Sequence, residues 1–293
     1  MADNKLDGFN PWNGNFSAFI GNGVIVFAAL KMATQYLGHW FNSKPIDFEI
    51  KYLHDGTIEV TNGHFDKPSK EHTLIEDVFN NKNKGFEILF LTRDPYKRFL
   101  SAFVQDYIKP LFQNNSKNIH ARLLMEYIFN DVSLYEKVPY KRDEVRDLFL
   151  QKYNTIESGW NWENDNSEDL SSDMVLFCIQ AITRRVLNSG GIGIMTGHNS
   201  LYHTKVRNLI DWTPTNNIRL IDIDNQSLND ALNKYEVGVK KLQPIHTTKK
   251  LTKRVGDVIQ SEPKMYRYIL NELNDEHIAY TILNKKFGDK NLK

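Results

Sequence analysis

Cysteine is almost missing from this 293-residue chain, in which Cys178 stands alone. A single thiol excludes a disulfide within the chain, and its setting, "MVLFCIQAI", is that of a small buried apolar side chain rather than a nucleophile or a metal ligand. A charge of one sign is missing too. The 37 lysines and arginines face 36 acids, for a formal net of +1. That balance excludes a global basic field for nucleic acid or an anionic membrane, so any bound anion has to be caught by a local site. Long hydrophobic runs are also lacking. The longest, "GVIVFAAL", is too short to cross a bilayer, and the start, "MADNKLDGFNPWNGNF", has neither the basic segment nor the apolar core of a secretory leader. Together these absences predict a soluble, cytoplasmic protein with no nucleic-acid partner and no membrane span. What is present, 41% hydrophobic and 12% aromatic residues, suffices for one large core or two modest ones.

No internal period recurs, and only "WNWENDNSEDLSSD" (160–173) is polar enough to read as a surface loop. The simplest organisation is a tail over 1–15, a single domain over 16–286 and a short tail over 287–293. "FSAFI" reads as a strand, "GNG" as a turn, and "VIVFAALKMATQYL", apolar at helical intervals, as a helix up to Gly38. "DFEIKYL" and "TIEVTNGHF", separated by "HDG", predict a hairpin, and "EHTLIEDVFNN" a helix. "FEILFLTR" (86–93) has the few polar interruptions of a strand covered on both faces. Beyond it Asp94 is placed as N-cap and Pro95 as first helical residue, with Phe99, Phe103 and Tyr107 at intervals of four. Helices are expected over 118–150 and 172–189, a short strand in "IGIMTG", a helix from near Ser200, and a strand in "IRLIDID". A helix capped by Ser227 follows, and a last long helix runs from 261–263 to about Lys286. Strands alternating with helices imply an α/β fold with a mainly parallel sheet flanked by helices and sites at the carboxyl ends of its strands.

At the end of the 86–93 strand, Arg93 carries a permanent forked cation to that edge, where a bidentate grip on phosphate is natural. Ser101 falls on the helix face away from Phe99 and Phe103, beside Arg98, from where its hydroxyl can reach the same anion. The plainer alternative pairs Arg93 with Asp94 or Asp106 and leaves Ser101 to a local turn.

"TRDPYKRFLSAF" resembles the 3′-phosphate-binding motif of the carbohydrate sulfotransferases, an Arg-Asp-Pro run followed by a Ser-Ala-aromatic triplet. The resemblance implies a three-layer, P-loop-NTPase-like sulfotransferase fold. It implies that Arg93 and Ser101 hold the 3′-phosphate of 3′-phosphoadenosine 5′-phosphosulfate (PAPS), the donor whose product is 3′-phosphoadenosine 5′-phosphate (PAP). "TNGHF" (61–65) is similar to the Gly-His segment of the uronosyl and heparan 2-O-sulfotransferases, which nominates His64 as general base for an acceptor hydroxyl; a turn histidine is the other reading. For the 5′-phosphosulfate loop the candidate is Gly21, Asn22, Gly23, Val24 and Ile25, taken as a strand-to-helix turn whose N–H groups collect an anion. The family pattern there is Pro-Lys-x-Gly (or Ala) followed by Ser, Cys or Thr. With Gly23 aligned, its lysine position holds Gly21, so Lys31 or a lysine from elsewhere has to supply the cation. "TGHNSLYH" (196–203), "QPIHTTKK" (243–250) and "LNELNDEHIAYTIL" are placed like the acceptor-side stretch, the late loop and the closing helix of that family.

The implied reaction is sulfuryl transfer from PAPS to a hydroxyl of a carbohydrate, without a metal. Rivals are a nucleotide- or glycan-binding protein of the same fold without transfer chemistry, and a sulfotransferase acting on a small alcohol or phenol. A P-loop kinase ranks below both, since "GNGVIVF" offers neither the lysine nor the Ser/Thr of a Walker loop.

Overall fold

The computed structural model describes residues 16–29, 32–61, 69–104, 201–212, 217–224, 228–235 and 249–287, with scattered positions between 130 and 181. The chain divides into two compact units, neither continuous in sequence: Met1–Pro95 with Ser200–Ile245 and Asn274–Lys293, and Tyr96–Asn199 with His246–Leu273.

The first unit is built on a five-stranded sheet in the order β3-β1-β2-β6-β7, from β1 (Phe16–Gly21), β2 (Val24–Ala29), β3 (Ile46–Asp47), β6 (Glu87–Thr92) and β7 (Ile218–Asp222). β2, β6 and β7 pair in parallel, and β1 alone runs against the rest. Every residue of β2 is fully buried, as are Ile88 to Thr92 of β6, which is why both segments read as unbroken apolar runs rather than alternating ones. β4 (Glu49–Tyr52) and β5 (Ile58–Thr61) form a separate hairpin, closed through Gly56 at φ 81°. Its inward residues Ile50, Ile58 and Val60 join the core.

Helices α1 (Thr34–Phe41), α2 (Lys70–Phe79), α4 (Tyr202–Trp212), α5 (Leu228–Asn233) and α8 (Asn274–Phe287) belong to this unit. α2 starts where Ser69 and His72 form a reciprocal capping box, and His72 Nε2 reaches the Asp47 carbonyl at 3.0 Å, which ties the helix start to β3. The core gathers around Phe27, whose ring meets Phe90 at 5.0 Å, Phe79 at 5.4 Å and Phe48 at 5.5 Å. Burying one such ring stabilises by about 1.5–3 kcal/mol. α8 lies along α4 and touches β7, while Tyr202 donates its hydroxyl to the Phe27 carbonyl at 3.2 Å.

In the second unit, α3 (Pro95–Phe103, entered from Pro95 of the first unit), α6 (Lys249–Gln260) and α7 (Pro263–Glu272) are described. Tyr96 meets Phe99 at 6.3 Å and the ring of Tyr266 on α7 edge-on at 5.4 Å. α6 comes so close that a Cβ on Gly256 would lie 3.1 Å from Leu100 Cδ1.

Two expectations from sequence are corrected. "VIVFAA" is not the start of a helix: it is β2, joined to β1 by the two-residue turn Asn22–Gly23. Asn-Gly is the preferred pair of a tight hairpin and Gly23 supplies the left-handed φ of 69°, while "VIVF" is rich in residues that suit a pleated surface. The last long helix is also interrupted. α7 stops at Glu272 and α8 starts at Asn274, because Asn274, Asp275 and Glu276 are helix-start residues and the two acids favour a first turn. Ser227 and "IGIMTG" lie outside the described residues, as does nearly all of 118–150 and 172–189.

Candidate functional site at the carboxyl edge of the parallel strands

β2 and β6 pair Phe27 with Phe90, so two residues further on Ala29 and Thr92 stand side by side, and Thr92 pairs with Asp222 of β7. Three parallel strands therefore leave the sheet at one edge. Neighbouring strands are about 4.8 Å apart, so Ala29, Thr92 and Asp222 end within about 10 Å of one another.

After β6 and β7 comes a chain of polar contacts. The Nε of Arg93 lies 3.5 Å from Asp224 Oδ1, with 22% and 13% of the two side chains exposed. The other Asp224 oxygen accepts the Asp94 N–H at 3.0 Å. Asp224 in turn donates its own N–H to Asp222 Oδ1 at 3.0 Å, and the Tyr280 hydroxyl donates to Asp222 Oδ2 at 2.7 Å. Burial, then the hydrogen bond to Asp222 and its negative charge, push the Tyr280 phenol well above its ordinary range, so it stays a donor. The local-acid alternative expected for Arg93 is realised, but through Asp224. Asp94 contributes its backbone N–H, and Asp106 lies outside the described residues.

Behind Arg93 sits a buried pair that the sequence alone does not reveal. Glu276 of α8, 2% exposed, accepts three hydrogen bonds of 2.9 Å each: from the N–H of His203, the N–H of Thr204 and Nδ1–H of His203. The carboxylate thus caps the first turn of α4, where backbone donors and the helix dipole favour an anion. With Nδ1 donating to Glu276, the imidazole turns Nε2 as acceptor toward the Arg93 N–H, 3.5 Å away. "DEH" and "LYHT" carry the signal only as an acid at a helix start and a histidine in another helix's first turn, 73 positions apart in sequence.

The exit of β2 is different in kind. Ala29 accepts the Met32 N–H at 3.0 Å, Ala33 is left-handed at φ 60°, and α1 begins at Thr34 with no side-chain cap and no acid in its first turn. Alanine is among the poorest N-cap residues, and a helix start left in this way keeps backbone donors for an anion. Between Ala29 and Thr34 the sequence reads Leu-Lys-Met-Ala, so Lys31-Met32-Ala33-Thr34 matches the Lys-x-Ala-Thr form of the loop pattern better than the alignment on Gly23. Lys31 itself lies outside the described residues.

The residues that the Gly23 alignment nominates for that role are misplaced. Gly21 to Ile25 form the β1–β2 turn at the amino edge of the sheet, where Gly23 O accepts the Glu87 N–H at 2.8 Å and Val24 pairs with Glu87. Arg93 is six residues beyond Glu87, roughly 20 Å along the strand. Val24 and Ile25 are fully buried with their backbone in the ladders, and no helix starts there. Arg93 stands at the strand end as expected. Ser101 is half-buried on α3 in the second unit, and its neighbour Arg98 is 2% exposed, so the helix does not present the two on an open face. His64, His198 and 243–248 lie outside the described residues. Among the described residues there is no cluster of three His, Cys, Asp or Glu able to hold a metal, and no helix long and apolar enough to cross a membrane. Compared with protein-family models, curated proteins and solved structures, the chain matches none.

Proposed function

We propose that this chain is a PAPS-dependent sulfotransferase acting on a carbohydrate hydroxyl, on a three-layer, P-loop-NTPase-like fold. The observation that carries the reading is the pairing of two strand exits: the uncapped start of α1, preceded by Lys31, and Arg93 at the end of the adjacent parallel β6. Lys31, the Thr34 hydroxyl and the first N–H groups of α1 would take the 5′-phosphosulfate. Arg93 and Ser101, eight residues apart in one strand-to-helix segment, would take the 3′-phosphate. Sulfuryl transfer passes through a loose in-line transition state, as phosphoryl transfer does, so orientation and fixed positive charge supply most of the rate. Lys31 would neutralise charge developing on the bridging oxygen. His64 would receive the proton of the acceptor hydroxyl.

The Arg93–Asp224 contact favours a second reading, in which Arg93 is a strut between β6 and the segment after β7 and no nucleotide binds. Calorimetric titration with PAP separates the two. Binding that Lys31→Ala and Arg93→Ala each weaken more than about tenfold, a loss of at least about 1.4 kcal/mol, supports the proposal. No heat of binding in the wild type, or equal affinity in both variants, overturns it. Transfer from PAPS assayed over a glycan panel then divides an enzyme from a binder, and a fully active His64→Ala removes that residue from the base role.

A further inference from the structure

We infer that the outer face of α8 is a self-association surface on which two copies of this chain pair through antiparallel helices. Of the described residues only Leu53, Ile278 and Ile282 are large apolar side chains left exposed, and the last two, at 47% and 38%, sit one turn apart on α8. A lone exposed isoleucine needs no explanation. This pair belongs to a longer pattern. Asp275, Ile278, Ile282 and Lys285 are all exposed and follow one another at spacings of three, four and three, the seam of a helix that packs against another helix. The opposite face, through Glu276, Ala279 and Leu283, is buried in the first unit, so the seam points away from the protein's own core.

The charges say which partner fits. Asp275 stands at the amino end of the seam and Lys285 at the carboxyl end, with the isoleucines between. The adjacent Lys286 is already engaged by Asp211 at 3.4 Å. A two-fold axis crossing the helix at the level of residue 280 brings Ile278 of each copy onto Ile282 of the other, and Asp275 onto Lys285, at both ends at once. A parallel pairing in register would set like charges together. An isologous contact needs a patch that is its own complement, and this seam is one. α8 is 14 residues long, about 21 Å. A contact along one such helix is smaller than the 1,200–2,000 Å² or so of a standard interface, so the dimer is a weak one.

Sedimentation velocity of the full chain from about 5 to 500 μM tests this, a span wide enough to catch dissociation constants well above micromolar. The expected result is a reversible monomer–dimer equilibrium whose dissociation constant rises more than about tenfold in Ile278→Asp, as for a central apolar contact. Asp275→Lys and Lys285→Asp should each weaken the dimer. The double variant should restore it, and an equimolar mixture of the two single variants should form heterodimers, because every end is again paired with its opposite. All three substituted positions are solvent-facing, so an unchanged circular dichroism spectrum is the check that each variant is folded. A chain that stays monomeric throughout overturns the inference and leaves the face to a different partner or to solvent. So does a dimer indifferent to Ile278→Asp, or one that the double charge swap fails to restore.

Discussion

Removing the Glu276 carboxylate should be among the most damaging single changes in the first unit. The side chain is 2% exposed and His203 is wholly buried, so water cannot readily replace the three 2.9 Å contacts that Glu276 accepts. Glu276→Ala strands two backbone N–H groups at the start of α4 and the imidazole Nδ1–H. A buried donor left without an acceptor costs about 1–3 kcal/mol. Thr204 is only half-buried and recovers part of its share from solvent, so the two wholly buried His203 donors carry most of the loss, about 2–6 kcal/mol. Glu276→Gln keeps one acceptor oxygen and turns its amide donors toward the rest, so about 1–3 kcal/mol is expected there. Against a typical total of about 5–15 kcal/mol, the alanine variant loses a large fraction of the stability. Urea unfolding by circular dichroism reads the loss, and hydrogen exchange at the His203 and Thr204 amides locates it. A double-mutant cycle with His203→Ala should give a coupling of about 0.5–3 kcal/mol. If Glu276→Ala unfolds within 1 kcal/mol or so of the wild type and both amides keep their protection, the account of this cap is wrong.

The hairpin predicts that Gly23→Ala costs about 1–2 kcal/mol, because φ is 69° and the new Cβ would lie 3.3 Å from Gly85 O; a thermal midpoint unchanged from wild type would refute the turn as described. Tyr280→Phe removes the 2.7 Å bond to Asp222, and a loss of about 0.5–1.5 kcal/mol at neutral pH is expected in the urea midpoint. Because burial and Asp222 raise the Tyr280 pKa, the folded state keeps a proton that the unfolded chain releases above about pH 10, so stability falls as pH rises past that point and Tyr280→Phe should flatten the fall. Asp224→Asn takes one carboxylate charge away from Arg93, so on the proposed reading PAP should bind several-fold more tightly; weaker binding would mean that Asp224 orients the guanidinium for its ligand.

Where local chemistry and tertiary context agree, the elements can be read directly. Pro95 can open a helix because its missing N–H is not needed there, and α3 opens at Pro95. Gly56 closes the β4–β5 hairpin in the left-handed conformation that "HDG" predicts. Where burial is complete on both faces, periodicity does not separate strand from helix: "VIVFAALKMATQYL" is apolar at helical intervals whether or not its first half is a strand. Asn22–Gly23 held the deciding information, since that pair between two β-rich runs favours a hairpin over a strand-to-helix turn. The Glu276–His203 pair lay beyond reach for a different reason. Each residue obeys an ordinary local rule, acid at a helix start and polar group in a first turn, and only the packing of α8 along α4 brings the two together.

The same hairpin decides where an anion site can be. In a parallel sheet the helices that follow strands present their amino ends, and hence their positive dipole ends, at the carboxyl edge. A turn that leads from one strand straight into its antiparallel neighbour offers no such end, and Asn22–Gly23 sits at the amino edge, a full strand length from Arg93. On the proposed reading, a loop aligned on Ala33 instead of Gly23 would include Lys31 and Thr34 and would stand at the carboxyl edge, where β6 delivers Arg93. The acids already at that edge set the terms of binding. Asp222 ends β7, Asp94 and Asp224 follow β6 and β7, and Asp224 lies against Arg93. On the proposed reading, a phosphate arriving there would exchange one anion for another at the guanidinium, so net affinity would have to come from the donors at the start of α1 and from Lys31, not from Arg93 alone.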